Sequence, residues 1–125
     1  MTTFHAVVWM DHNEAHVLMF DREHAEAQRI KSRSHHTPKH GHVKGDKDFF
    51  AAVAKSLEGV HEVLLTGPAS AKTEFHEYCK QHEAAVNKAI VDVVNSDHPT
   101  DAQLVAMARQ YFAKHDAMGA DPTQV

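Results

Sequence analysis

The chain has 125 residues, a length that suits one domain with one core. Hydrophobic residues make up 42% and charged residues 24%, which excludes a disordered or fibrous chain, and the single cysteine, Cys79, excludes an internal disulfide. The formal charge is −4 with all 13 histidines neutral and becomes +9 with all of them protonated, so an anionic partner is expected to bind more tightly in mild acid.

No apolar run approaches the roughly 18 residues of a membrane span, so no membrane partner is expected. The start, MTTFHAVVWMDH, shows neither a basic segment nor a small-residue cleavage site. With one thiol, this fits a reducing cytoplasm.

Residues 4–11, FHAVVWMD, and 14–20, EAHVLMF, are β-rich and are separated by a gap of hairpin length, His12-Asn13. A more polar extended segment, AEAQRIK, covers 25–31, so the opening third reads as an antiparallel meander. Residues 32–45, SRSHHTPKHGHVKG, have no period and read as a mobile basic loop. Helical period begins at Asp46, with Phe50, Val53, Ala54 and Leu57 on one face and Gly59 as the stop.

Glu62–Thr66 reads as a short buried strand and Gly67-Pro68 as a turn. Ser70–His82 reads as a second helix, with Ala71, Phe75, Tyr78 and Cys79 on its apolar side. Residues 88–94, KAIVDVV, form another strand. Thr100-Asp101-Ala102-Gln103 is a capping box opening a last helix, with Leu104, Met107, Ala108, Tyr111 and Phe112 at helical spacing. A strand–helix–strand unit from Glu62 to Val94 calls for parallel strands. The expected architecture is an α/β three-layer sandwich: a mixed sheet with an N-terminal antiparallel meander, a C-terminal βαβ unit and three helices. It forms one domain over residues 1–116, followed by a frayed tail over 117–125.

The turn LLTGPASAKTEF ends in Lys-Thr, as a nucleotide-binding P-loop does. The match fails on spacing, because Gly67 precedes Lys72 by five positions where the P-loop requires six. Ala71 replaces the second glycine, and Pro68 removes a backbone N–H from a loop that needs such groups. A weaker version remains. Gly67, Ser70 and Lys72 can place a helix N-terminus and an ammonium against a single RNA phosphate. The alternative is a tight strand-to-helix turn with a solvated lysine.

Asp11-His12 and Asp97-His98 fall at predicted strand ends. With the first strand parallel to the last, both pairs share the carboxyl edge of the sheet with Gly67, where open α/β sheets bind ligands. Asp11, His12, Asp97 and His98 can then hold a divalent metal or act as acid and base, or they can simply shape turns. In the basic loop, His35, His36, His40 and His42 suit an adventitious metal site; their spacing fits no closed native one. Arg33, Lys39, His40 and Lys44 in the same loop are candidate phosphate contacts. Cys79, on an apolar helix face with no base beside it, reads as an inert thiol. No native metal and no cofactor is called for.

The segments WMDHNEA, TGPASAKTEF and DHPTDAQLVA, within a resemblance running from Phe4 to His115, are similar to a bacterial family labelled "translational machinery protein". That family is grouped with the third domain of archaeal and eukaryotic peptide-chain release factors and of the rescue factor Pelota. The resemblance implies an α/β sandwich related to the L7Ae/L30e folds and a role near the ribosome or RNA. The Gly-Gly-Gln of peptide release does not occur in the sequence, so release activity is not implied. The leading expectation is a non-enzymatic module that binds the ribosome, structured RNA or a translation-factor protein. The alternatives are a small metal-dependent hydrolase built on Asp11, His12, Asp97 and His98, or a protein adaptor or homodimer without a ligand.

Overall fold

The computed structural model describes residues 5–21, 23–32 and 41–124. Strands β1 (His5–Met10), β2 (Glu14–Phe20) and β3 (Ala25–Lys31) form the antiparallel meander. Helix α1 (Gly41–Ser56) leads to β4 (Glu62–Gly67), which pairs with β1 in parallel. Helices α2 (Ala71–His82) and α3 (Ala84–Ala89) lead to β5 (Ile90–Asn95), parallel to β4, and α4 (Asp101–Gln124) follows. The sheet order is β3-β2-β1-β4-β5. Both crossovers step the same way across the sheet, and crossovers of one hand then leave their helices on one face.

The two-residue alternation of the strands divides the core. Ala6, Val8, Met10, Ala15, Val17, Val63 and Leu65 meet α1 and α2 through Phe50, Val53, Leu57, Phe75 and Cys79. Val7, Trp9, Leu18, Phe20 and Leu64 meet Leu104, Ala108 and Phe112 of α4 on the other face. The result is a three-layer sandwich. Phe75 is fully buried and packs edge-on to Phe50 at 5.7 Å. Burying one such ring contributes about 1.5–3 kcal/mol.

Several boundaries differ from the sequence reading. The backbone is already helical from Gly41, so residues 41–45 belong to α1 and not to a loop; two glycines oppose this by about 1 kcal/mol each, and local propensity does not account for the extra turn. Residues 33–40 of the expected loop lie outside the described residues. Lys88 and Ala89 belong to α3, a fourth helix that the sequence reading missed, and β5 starts at Ile90. Helix α3 begins where the Asn87 N–H donates to Glu83 O, directly after the Glu83 N–H closes α2 on Cys79 O. The backbone stays helical to Gln124, beyond the expected frayed start at Ala117. The hairpin loop is Asp11–Asn13, one residue longer than read, and the Asp11 N–H donates to Glu14 O at 3.0 Å.

Candidate functional site

Because β1, β4 and β5 are mutually parallel, the two Asp-His corners and the Gly67 turn lie along one rim, at the carboxyl ends of these strands. Helix α2 leaves β4 toward one face, and α4 leaves β5 toward the other. The β4–β5 boundary is thus the switch point at which α/β sheets open a crevice. Here the strand ends are tied together. Ser96 N–H donates to Gly67 O at 3.0 Å, and Thr66 Oγ1 donates to Ser96 Oγ at 2.8 Å.

Gly67 has φ +152°, and a Cβ there would stand 2.1 Å from the Met10 carbonyl oxygen. The glycine is required by the close approach of β1, not by a phosphate. Ser70 does not cap α2 through its side chain; its hydroxyl donates to Glu74 Oε2 at 2.9 Å. Lys72 is not a solvated cation either. It is only 5% exposed, and its ammonium donates to the carbonyl of Ala69 in its own turn. At the expected anion contact of Gly67, Ser70 and Lys72, Glu74 occupies the first turn of α2 and the lysine ammonium donates within its own turn.

The Asp-His corners resolve as turn and packing chemistry. Asp11 Oδ1 accepts the N–H groups of Asn13 at 2.8 Å and Glu14 at 2.9 Å. His12 Nε2 lies 3.2 Å from Glu74 Oε2. The Trp9 indole donates to the Asp97 carbonyl at 2.5 Å, and the His98 ring packs on the Trp9 ring at 4.5 Å. Among the described residues no group of three or more His, Cys, Asp or Glu side chains is placed to hold a metal, so the Asp11, His12, Asp97, His98 set does not form one. Arg33, His35, His36, Lys39 and His40 lie outside the described residues, and the side chains of His42 and Lys44 do as well.

The sequence reading overlooked His16. Its Nδ1 is 3.2 Å from Asp101 Oδ1 in the first turn of α4, and its Nε2 is 3.5 Å from Glu14 Oε2. Alternation in β2 places it on the Trp9 face, but only the fold brings Asp101 to it from 85 residues away. Asp11, Glu14, Glu74, Asp97 and Asp101 thus all sit at this rim. Five carboxylates disfavour a phosphate there.

At the opposite edge, the β2–β3 turn and the α1–β4 connection enclose a hollow of about 560 Å³ lined by Met19, Phe20, Asp21, Glu26, Glu58 and Val60. Asp21 Oδ1 accepts the N–H groups of Glu23 and His24 at 2.8 Å each. The His24 and Glu23 amides hold its carboxyl below the usual carboxylate range. The Arg109 guanidinium donates to Asp21 O at 3.1 Å and lies over the Phe20 ring at 5.6 Å. Cys79 is buried, and burial pushes its thiol up to about 12.

No family model and no curated protein matches the chain. Solved structures do. Pelota from Thermoplasma acidophilum superposes with a TM-score of 0.63 at 20% identity, over 83% of this chain and 31% of that one. The fold is that of Pelota and the release factors. The archaeal translation termination factor aRF1 gives 0.60 at 14% identity, over 94% of this chain and 42% of its own. Dom34 of S. cerevisiae, a translation termination-like factor involved in RNA quality control pathways and interacting with Hbs1, gives 0.61 at 13% identity, over 93% and 35%. The chain thus spans less than half the length of these Pelota-like factors.

Proposed function

We propose that this chain is a non-enzymatic docking module of the translation apparatus that associates with the ribosome or with structured RNA. The observation that carries this reading is the fold shared with Pelota, aRF1 and Dom34 over more than four-fifths of the chain. The phosphate contacts are assigned to the basic segment through Arg33, Lys39, His40 and Lys44. The carboxylate-rich rim around Gly67 supports that assignment, because it leaves the rim a poor host for phosphate. The Asp11 carboxylate is engaged in its turn, His12 pairs with Glu74 and His98 packs on Trp9, which favours docking over hydrolysis. A second reading, a protein adaptor without RNA, is favoured by the interaction of Dom34 with Hbs1.

Sedimentation of lysate through sucrose, with and without RNase, separates the two. Ribosome or RNA association predicts co-sedimentation that RNase or salt abolishes. The three permanently charged contacts, Arg33, Lys39 and Lys44, predict a loss of about 20- to 40-fold in affinity between 50 and 200 mM salt. Arg33→Ala/Lys39→Ala/Lys44→Ala should remove most of that salt dependence. A chain that stays at the top of the gradient in every condition refutes the RNA reading, and salt-insensitive capture of a protein supports the adaptor.

A further inference from the structure

We propose that the hollow at the amino edge of the sheet is a docking site for an arginine- or lysine-bearing segment of a protein partner. It lies across the sheet from the rim and is independent of the phosphate contacts assigned to the basic segment. Its apolar lining is the half-buried Met19 and the buried Val60, with Phe20, whose ring packs on the α4 face, at its border. Its walls carry the carboxylates of Asp21, Glu26 and Glu58. A long cationic side chain matches this combination. Its methylene stem covers the apolar lining while the charged head reaches the carboxylates. A phosphate-bearing or acidic segment would bring like charge against three carboxylates.

A related contact occurs on the α4 face of the same turn. Arg109 lays its guanidinium over Phe20 and donates to the Asp21 carbonyl, so a cation is held where ring and turn meet. The Asp21 carboxylate is kept ionised by the two amides of its turn, and Glu26 and Glu58 are exposed. At Gly59, with φ +85°, nothing stands within 4 Å of where a Cβ would be, which leaves the mouth clear on the α1–β4 side. Among the described residues His24, on the turn, also lines the hollow, beside Asp21.

The test is fluorescence anisotropy with a labelled ten-residue peptide of alternating arginine and alanine, at fixed ionic strength. The chain is negatively charged overall, so every arm is compared with a variant of equal charge. Glu26→Gln/Glu58→Gln should weaken binding at least fivefold. Glu14→Gln/Glu74→Gln, which removes the same charge from the opposite rim, should change it less than twofold. Far-UV circular dichroism checks that each variant is folded, and the single substitution Glu58→Lys serves if the double variant is not. Equal weakening by both doubles, weakening by the rim double alone, or no effect of either would overturn the proposal. An anionic control, a labelled glutamate–alanine decapeptide, should not bind; binding that is independent of peptide charge would also overturn it.

Discussion

Replacing Gly67 by alanine tests whether the rim is built on backbone contact between β1 and β4. The added Cβ would meet the Met10 carbonyl oxygen at 2.1 Å, roughly 1 Å inside any tolerated contact. The neighbour is backbone in a paired strand and cannot rotate away, so the two strand ends must part. That displacement weakens the Ser96–Gly67 bond at 3.0 Å and the Thr66–Ser96 hydroxyl bond at 2.8 Å, each worth about 1 kcal/mol. A positive φ adds about 1–2 kcal/mol for a residue with a Cβ. The sum is about 3–4 kcal/mol, which at a urea slope of about 2 kcal/mol/M lowers the unfolding midpoint by about 1.5–2 M. Gly59→Ala is the comparison, because that site has positive φ but open space around it, so only the backbone cost of about 1–2 kcal/mol applies. Urea unfolding followed by far-UV circular dichroism reads both. If Gly67→Ala unfolds at or above the midpoint of Gly59→Ala, the close-approach argument is wrong.

Two further outcomes are expected. Thr100 Oγ1 accepts the Gln103 N–H at 3.1 Å and Gln103 Oε1 accepts the Thr100 N–H at 2.9 Å, so Thr100→Ala should cost about 1 kcal/mol in the same assay and Thr100→Ser almost nothing. Cys79, whose thiol is pushed up to about 12 by burial, should resist a thiol reagent at pH 8 in native protein and react at once in denaturant. The sign follows from a folded pKa above the unfolded one. The buried thiol favours folding fully below about pH 8.5, and this contribution is lost as pH rises toward 12. Native reactivity at pH 8 matching that of a free thiol would contradict the burial.

The sequence by itself determined the strands, the apolar helix faces and the capping box. Alternation through β1 and β2 and the spacing of Phe50, Val53, Ala54 and Leu57 are local signals, and all four of those helix residues are buried where the pattern put them. The parallel pairing of β1, β4 and β5 also followed, since strand–helix–strand units leave little choice. Local spacing did not reveal what each rim side chain touches. Lys72 looks solvated in a helix-first-turn pattern, yet it is buried, because its turn folds back and offers the Ala69 carbonyl. Glu74 meets His12 across 62 positions and Asp101 meets His16 across 85. Such partners are set by where whole elements pack, not by neighbours in the chain. The amino-edge hollow belongs to the same class: the β2–β3 turn and the α1–β4 connection form it only because α1 packs on β2 and β3. Periodicity repeats within a few residues and so is legible in one dimension. A site is made of distances between distant segments, and those exist only once the core has closed.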